Sequence, residues 1–191
     1  SGTTNGNLSA DAVAFVDLNE APMTVWVDDN YSYNNAGEHF WGYDAFDNIH
    51  DAISKVAANG TVNVADGTYT ENLTINKSIT LQSLNGATFT TIDGNLSPTL
   101  AVVNISNIEK VTVQGFTIQN ANNNYGGIYL NNSKSTTIQN NIFFNNGGDI
   151  GVYNGSSYIV ITKNIFSGNS TYSDSWGIDI SNSSNNKIGR A

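Results

Sequence analysis

The sequence predicts an all-β solenoid, namely a right-handed parallel β-helix with an N-terminal capping α-helix. Three observations indicate this fold class. Short apolar runs recur at a nearly constant spacing in the second half of the chain, each run alternates apolar and polar residues, and the residues between runs are mostly Asn, Ser, Thr and Gly. Alternation with period two is typical of strands with one buried face, and the intervening residue types favour turns. A unit this thin cannot bury its own apolar side, so the units must stack to form a core.

The repeat is clearest between residues 111 and 169. Three segments, aligned at offsets of 25 and then 23 residues, form four columns: Val113, Ile138 and Ile161; Ile118, Phe143 and Phe166; Asn141 and Asn164; Asn146 and Asn169. Apolar pairs that indicate a second strand are Val103 and Ile105, Ile128 and Leu130, Ile150 and Val152, and Ile178 and Ile180. We therefore expect two strands per coil and about five coils, with a partial coil beginning at Ile188. Stacked Asn side chains are expected to hydrogen-bond along the axis.

The chain is expected to form one domain over residues 24–191. Residues 1–23 form an N-terminal extension, residues 24–60 hold a strand, a loop and the capping helix, and residues 61–191 hold the coils. A length of 191 residues suits a single domain with a sizeable core.

The capping helix is the one segment with clear helical periodicity. Its apolar face consists of Phe46, Ile49, Ile53 and Val56. Asp44 is expected to cap the helix and Asn59-Gly60 to end it. A single apolar stripe implies that the helix lies against something flat and apolar.

The composition restricts the class of partner. The net charge is −9 with only seven basic residues, spread evenly, so clustered phosphate contacts and nucleic acid are excluded. Acidic polysaccharides and anionic surfaces are disfavoured for the same reason, which leaves neutral glycans, cations, other copies of the chain or a continuation of the same chain. No apolar run reaches the length of a membrane span, and no signal peptide is recognised in the polar segment Ser1 to Asn7.

An extracellular, cell-surface location is expected from the density of Asn-X-Ser/Thr sequons. The candidate N-glycosylation sites are Asn72, Asn76, Asn95, Asn104 and Asn169. The alternative is that Asn, Ser and Thr are simply abundant, so that sequons arise by chance. The absence of Cys fits an exported protein without disulfides and fits a cytosolic protein equally well.

Two segments carry a resemblance to a known family. The stretch Phe46-Asp47-Asn48-Ile49-His50-Asp51-Ala52-Ile53 resembles the capping helix of pectin-lyase-like β-helix proteins, and Val64 to Ile75, with Gly67-Thr68-Tyr69 and Glu71, resembles their first coil. The later coils resemble the Asn-rich repeats of archaeal and bacterial surface proteins, including the NosD-like group. The resemblance implies the fold for most of residues 24 to 189. It does not imply one activity, because this fold hosts lyases, esterases, hydrolases, adhesins and inert surface modules.

No catalytic site of those enzymes is recognised in the coils. The methylesterases that share this opening need two Asp and an Arg in the middle coils, and this sequence offers Gln114, Gln119 and Gln139 there without them. Lyases hold calcium with clustered Asp, and the candidates here are Asp149, Asp174 and Asp179. The repeat aligns Asp149 with Gly177, so these residues are not expected to form a column, and Asp179 is expected to point outward into solvent.

Asp28-Asp29 is the candidate metal site. Together with Asn30 and Asp44 its oxygen atoms suit Ca²⁺, and no other cofactor is expected. The alternative is a polar turn after the first strand.

Aromatic residues are the remaining candidates for contact with a carbohydrate or a partner. Tyr and Trp stack on sugar rings and are common in interfaces. The candidates at the coil corners are Tyr125, Tyr153, Tyr158, Tyr172 and Trp176, whereas Tyr31, Tyr33, Phe40, Trp41 and Tyr43 in the loop before the helix are expected to pack against the cap.

These features favour a structural or adhesive cell-surface module, comparable to the units of a surface layer and able to assemble end to end. An enzyme that acts on a polysaccharide and a carbohydrate-binding module of the same fold remain the alternatives.

Overall fold

Short strands separated by tight corners wind the chain into a right-handed parallel β-helix. The computed structural model describes residues 19–95, 97, 99–122, 125–168 and 176–190. Each strand in the coils pairs in parallel with the equivalent strand of the neighbouring coils, which produces three long sheets.

The sheets are named here in the order in which a coil visits them. Sheet 1 contains β1 (Thr24–Val27), β2 (Ala45–Phe46), β3 (Gly60–Val64), β6 (Ile79–Ser83), β9 (Thr112–Gln114), β12 (Thr137–Gln139), β15 (Val160–Thr162) and β18 (Lys187–Ile188). Sheet 2 contains β4 (Gly67–Thr70), β7 (Thr90–Asp93), β10 (Thr117–Gln119), β13 (Ile142–Phe144) and β16 (Ile165–Ser167). Sheet 3 contains β5 (Leu73–Ile75), β8 (Val103–Ser106), β11 (Ile128–Asn131), β14 (Gly148–Tyr153) and β17 (Trp176–Ile180).

Each coil holds three strands, so the prediction of two strands per coil is wrong. The segment from 111 to 118 was expected to be one strand, but it bends between β9 and β10 at Gly115, where φ is +79°. Asn140 and Lys163 take the same left-handed conformation at the equivalent corners, with φ of +56° and +55°. A left-handed residue turns the backbone sharply, which Gly and Asn tolerate better than other residues.

The predicted columns of apolar residues are confirmed by the strand register. Val113 pairs with Ile138, and Ile138 pairs with Ile161. In sheet 2, Phe143 pairs with both Ile118 and Phe166. The rings of Phe143 and Phe166 stack with their centroids 5.3 Å apart. These columns fill the interior of the tube, which has one continuous apolar core.

Buried Asn side chains follow the same axis, as the aligned Asn columns predict. The side chain of Asn141 accepts a hydrogen bond from the backbone N–H of Phe116 at 3.0 Å and donates one to the carbonyl of Val113 at 3.0 Å. One coil later, Asn164 accepts from the N–H of Asn141 and donates to the carbonyl of Ile138. The amides thus satisfy backbone groups that each corner leaves without a strand partner.

The capping helix α1 (Ile49–Lys55) is shorter than predicted, and Asp44 does not cap it. Asn48 is the N-cap and accepts a hydrogen bond from the N–H of Asp51. The Asp44 carboxylate accepts instead from the N–H of Phe40 at 2.6 Å, and Phe46 belongs to β2. The residues just before Asn48 therefore include the strand β2 and do not form the first turn of the helix. Within the described residues, no helix has the length and apolar character needed to cross a membrane.

Two charged side chains of the first coil hold both ends of α1. The Glu71 carboxylate accepts hydrogen bonds from the N–H groups of Ile49 and His50, at 2.8 and 2.9 Å. The Lys77 ammonium donates to the carbonyls of Ser54 and Val56, at 3.0 and 2.9 Å. An anion at the N-terminus and a cation at the C-terminus both complement the helix dipole, so the cap is fixed to the tube by charge as well as by apolar contact.

Candidate functional site

The outer face of sheet 3 carries the most developed arrangement of polar and aromatic side chains. Because Ile128 and Leu130 point inward, the residue between them, Tyr129, points outward. The strand register places Tyr129 in one outer column with Thr74, Asn104, Gly151 and Asp179. A second outer column contains Ser106, Asn131 and Tyr153.

Three tyrosine rings form a continuous row across this face, which we call the tyrosine row. The rings of Tyr129 and Tyr153 have their centroids 5.2 Å apart and are inclined by 37°. Tyr125 also contacts Tyr129: the two ring centroids are 6.5 Å apart and the rings meet edge to face. These separations are those of favourable aromatic pairs, so the three rings support one another.

Tyr153 lies flat because its neighbour two residues earlier is glycine. A Cβ at Gly151 would stand 2.3 Å from the ring of Tyr153, which shows that the ring covers the backbone of Gly151. The phenol donates a hydrogen bond to the Asp179 carboxylate at 2.9 Å. Burial first, and then the hydrogen bond and charge of Asp179, raise the pKa of Tyr153 well above its usual range. The hydroxyl is the donor in this hydrogen bond.

A groove of about 240 Å³ runs beside the tyrosine row. Its floor is the outer surface of β8 and β11, and one wall is the corner segment that precedes β8. The lining residues are Thr99, Leu100, Ala101, Asn104, Ser106, Tyr125, Tyr129 and Asn131. None of these side chains carries a charge, and together they offer amides, hydroxyls and aromatic faces.

Trp176 occupies the edge of the same region. Its ring lies over Gly148 and reaches Gly126, where a Cβ would approach the ring to 2.3 and 3.0 Å respectively. Gly126 and Gly148 thus provide the flat surface on which the indole lies.

The other predicted aromatic contacts do not join the row. Tyr158 lies at the corner between sheet 3 and sheet 1, is 60% exposed and makes no ring contact with the three tyrosines. Tyr172 lies outside the described residues. Tyr129 was missed by the sequence analysis, although its position between two inward residues of β11 was a sufficient signal.

Of the candidate carboxylates that the structure describes, Asp149 and Asp179 do not share a column, in agreement with the aligned repeat. Asp149 lies opposite Gly177, because Gly148 pairs with Trp176 and Ile150 with Ile178. Asp149 is fully buried and accepts a hydrogen bond from the Asn146 amide at 3.1 Å. Asp179 is exposed on the outer face, as predicted. Asp174 lies outside the described residues.

The predicted Ca²⁺ site at Asp28 and Asp29 has the form of a polar turn. Both carboxylates accept hydrogen bonds from the Asn30 amide, at 3.0 and 2.8 Å. Asp44, the further oxygen ligand considered, is bonded to Phe40 and lies 3.4 Å from His39. Across the described residues, no group of three or more His, Cys, Asp or Glu side chains is arranged to hold a metal ion. Ca²⁺ binding here stays a prediction.

The sequons differ in how accessible their amides are. Asn76 and Asn95 are exposed, and Asn169 lies outside the described residues. The Asn72 amide nitrogen, which a glycan would have to modify, donates a hydrogen bond to the carbonyl of Ala101 at 3.0 Å. Asn104 lines the groove, so a glycan on Asn104 would fill it.

The three-stranded coils, the interior ladders and the N-terminal cap define a protein of the parallel β-helix class. The chain belongs to the family described as "Protein of unknown function (DUF1565)", which matches residues 76–190. No curated protein is significantly similar to the chain in sequence.

A solved structure shows the same fold, and two more are similar to the chain at lower TM-scores. An alginate lyase from Paenibacillus sp. str. FPU-7 has a TM-score of 0.53 and 14% identity, over 70% of this chain and 55% of the lyase. A pectin methylesterase solved with a hexasaccharide has a TM-score of 0.48 and 14% identity, over 87% of this chain and 66% of that enzyme. The pectin methylesterase from Aspergillus niger has a TM-score of 0.36 and 15% identity, over 90% of this chain and 68% of that enzyme. This chain thus spans about half the length of the alginate lyase.

Proposed function

We propose that the chain is an adhesive module of an extracellular surface protein and binds a neutral glycan along the outer face of sheet 3. The observation that carries the proposal is the row formed by Tyr125, Tyr129 and Tyr153 beside an uncharged groove. Sugar rings present apolar faces that stack on aromatic side chains and hydroxyls that hydrogen-bond to amides. The row supplies the first kind of contact, and Asn104 and Asn131 supply the second.

The charge of the protein favours a neutral ligand over an acidic one. The net charge is −9, and Asp179 lies at one end of the tyrosine row. A polyuronate brought to this face would be repelled, because the groove lining contains no Lys or Arg to compensate its carboxylates.

The proposal is tested by binding measurements on defined oligosaccharides. We expect calorimetry to detect binding of at least one neutral hexasaccharide of glucose, mannose or xylose. Oligogalacturonate and oligoalginate should bind at least tenfold more weakly than that ligand. Tyr129→Ala should weaken binding at least tenfold, which corresponds to about 1.4 kcal/mol. Tyr158→Ala, which removes an exposed tyrosine at a different corner, is the matched control. Equal loss in the two variants, or a clear preference for the acidic ligands, would contradict the proposal.

A second candidate role is assembly through the coil that holds β16, β17 and β18. In three interior columns the last member is exposed, although the members before it are buried. The exposed fractions are 39% for Phe166, 37% for Ile180 and 55% for Ile188. Exposed apolar side chains next to unpaired strand edges favour association with further strands.

The other end of the tube is closed, which affects the kind of assembly. There α1 covers the coil end, and β1 and β2 extend sheet 1 beyond β3. The two ends of the tube therefore differ, and we propose that a second chain covers the exposed side chains through the same coil, which gives a dimer. Further coils of a longer polypeptide would cover the same side chains.

A further inference from the structure

The loop between β1 and β2 carries a second set of exposed aromatic side chains. From their position in the sequence, these residues were expected to pack against the cap. Trp26 and His39 do stack, at 5.0 Å, but Tyr33 is 82% exposed, Phe40 is 54% exposed and Trp41 is also exposed. Large exposed aromatic groups that lie together mark interaction sites more often than single exposed residues do.

Backbone hydrogen bonds hold this loop in one conformation. Ser32 and Asn35 exchange two bonds of 3.0 Å, and the N–H of His39 donates to the carbonyl of Ala36. Asp44 fixes the next turn, since its carboxylate accepts from the N–H of Phe40 and its own N–H donates to the Phe40 carbonyl. The backbone from which the rings project is therefore held in place, so a ligand does not have to order the loop backbone on binding.

The exposed rings surround a pocket of about 440 Å³, which we call the cap pocket. Its lining residues are Tyr33, Asn34, Ala36, Gly37, His39, Phe40, Trp41 and Tyr43. It lies at the opposite end of the molecule from the open coil and is separate from the groove on sheet 3.

The loop that forms the cap pocket is rich in carboxylates, although none of them lines the pocket and Lys55 lies with Trp41 and Tyr43 around the adjoining cavity. Residues 28–51 include six carboxylates and neither Lys nor Arg; the acidic residues are Asp28, Asp29, Glu38, Asp44, Asp47 and Asp51. Asp44 lies behind the pocket, 3.4 Å from the ring of His39. Burial first, and then the charges of Asp28 and Asp44, raise the pKa of Tyr31, the residue two positions before Tyr33.

We propose that the cap pocket binds an organic cation with a trimethylammonium group. Aromatic faces attract such cations through the ring quadrupole, and weakly hydrated quaternary ammonium groups are the ones that aromatic pockets take up. The carboxylates add attraction for a positive charge and repel anions. A neutral sugar would gain stacking but nothing from these carboxylates, so the charge distinguishes this pocket from the groove on sheet 3.

The test is a titration of the intact chain with choline chloride, followed by tryptophan fluorescence and by the indole N–H signals in NMR. The neutral isostere 3,3-dimethyl-1-butanol, which has the same shape without the charge, is titrated in parallel. We expect choline to shift the signal of Trp41 and to bind at least tenfold more tightly than the isostere. Vesicles of phosphatidylcholine form a further arm: binding to the vesicles identifies a lipid head group as a source of the cation, and binding of choline alone identifies a free ligand.

Variants locate the site. Phe40→Ala, Trp41→Ala and Tyr33→Ala remove exposed rings, so they should leave thermal unfolding unchanged while weakening choline binding at least fivefold each. Tyr158→Ala is the control and should bind normally. Equal binding of choline and its isostere, or choline binding that survives all three substitutions, would overturn the proposal. Neither result would bear on glycan binding, which depends on Tyr129.

Discussion

At the scale of single residues, the outer face of sheet 3 depends on two glycines, whose lack of a side chain leaves room for aromatic rings. Gly151 and Gly148 leave the backbone uncovered, and the rings of Tyr153 and Trp176 lie on it. Neither glycine has a left-handed backbone, so conformational freedom is not the reason for them. These glycines provide space for the two rings. The sequence alone does not distinguish a glycine with this role from a glycine that serves a turn.

Gly151→Ala should displace Tyr153 and weaken glycan binding. The added Cβ would stand 2.3 Å from the ring, so the ring must rotate away from Tyr129 and from Asp179. Because Tyr153 would then no longer contact the glycan in line with Tyr129, we expect roughly a two- to tenfold loss of affinity, about 0.5–1.4 kcal/mol. Gly177→Ala is the matched control, because it lies in β17 of the same sheet and nothing is within 4 Å of its Cβ position. Calorimetry with the neutral ligand compares the two variants. The expectation fails if both bind alike.

Asn141→Ala should destabilise the tube more than loss of an exposed Asn. The substitution removes the partner of the Phe116 N–H and of the Val113 carbonyl, and both groups are buried. A buried polar group without a partner costs about 1–3 kcal/mol, so the free energy of unfolding should fall by at least the lower value. Asn76→Ala, at an exposed position, is the control for denaturant unfolding. A similar denaturant midpoint for the two variants would show that water replaces the hydrogen bonds of the Asn141 side chain.

Asp93 should make stability depend on pH in the acidic range. Burial by itself would raise the pKa of Asp93, but hydrogen bonds from Gln119, Asn120 and the Asn95 N–H lower it below the ordinary value of 3.8. A carboxyl whose pKa is lower in the folded state stabilises that state above the unfolded pKa, and the effect is lost as the pH falls through the folded pKa.

Comparing the unfolding temperatures of the parent and of Asp93→Asn tests the direction of this pH dependence. We expect the parent to unfold at a higher temperature at pH 6, and the difference between the two proteins to shrink as the pH falls below about 3.8. Thermal unfolding followed by circular dichroism at a series of pH values measures it. A difference that stays constant down to pH 2.5 would contradict the role given to the Asp93 charge.

At the scale of elements, α1 exists because the first coil supports it at both ends. A helix of seven residues is too short to be stable alone, and its two termini are held by Glu71 and Lys77 from outside the helix. The family-like segment that contains Glu71 thus has a structural explanation in this chain, because the carboxylate joins the cap to the coils.

Glu71→Ala should loosen the cap. It removes two charge-assisted hydrogen bonds to the N–H groups of Ile49 and His50, and such bonds contribute about 1.5–3 kcal/mol. Glu109→Ala changes the net charge equally at an exposed position and is the control. Hydrogen exchange of the amides in α1 should accelerate in the first variant only. Unchanged protection there would mean that apolar contact alone holds the helix.

The division of each coil into three strands was visible in the sequence as a change of phase. Inward residues follow one another by two within a strand, but Val113 and Phe116 are three apart, as are Ile138 and Asn141. The extra residue is the left-handed corner. Every repeat contains this extra residue, so the aligned repeats stay in register and the corner does not stand out.

At the scale of the whole molecule, the sequence predicted the tube, its interior columns and its cap, since all three follow from periodic burial. The tyrosine row was predicted only in part: Tyr125 and Tyr153 were named from exposure at corners, whereas Tyr129 and the contact with Asp179 depend on strand register. The cap pocket was not predicted, because the packing of a loop does not follow from periodicity.

The open coil end makes a prediction about size in solution. We expect the chain to form dimers at tens of micromolar in analytical ultracentrifugation, and Ile188→Asp to return it to a monomer, because a buried charge would oppose pairing there. Leu84→Asp, at an exposed corner position, should leave the dimer intact. If the parent chain is monomeric, the dimer is excluded, and the exposed side chains would instead be covered by further coils of a longer polypeptide.

The corners between strands are not equally free to change. Four of the corners that lead from sheet 1 to sheet 2 have two residues (65–66, 115–116, 140–141 and 163–164), and the segments that lead from sheet 2 to sheet 3 range from two residues (71–72) to nine (94–102). The longer segments border the face that carries the tyrosine row. We therefore expect insertions and grafted sequences to be tolerated next to the proposed glycan-binding face, while the tight corners keep the coils in register. The fold thus separates a rigid frame from a rim of loops that can be changed without disturbing it.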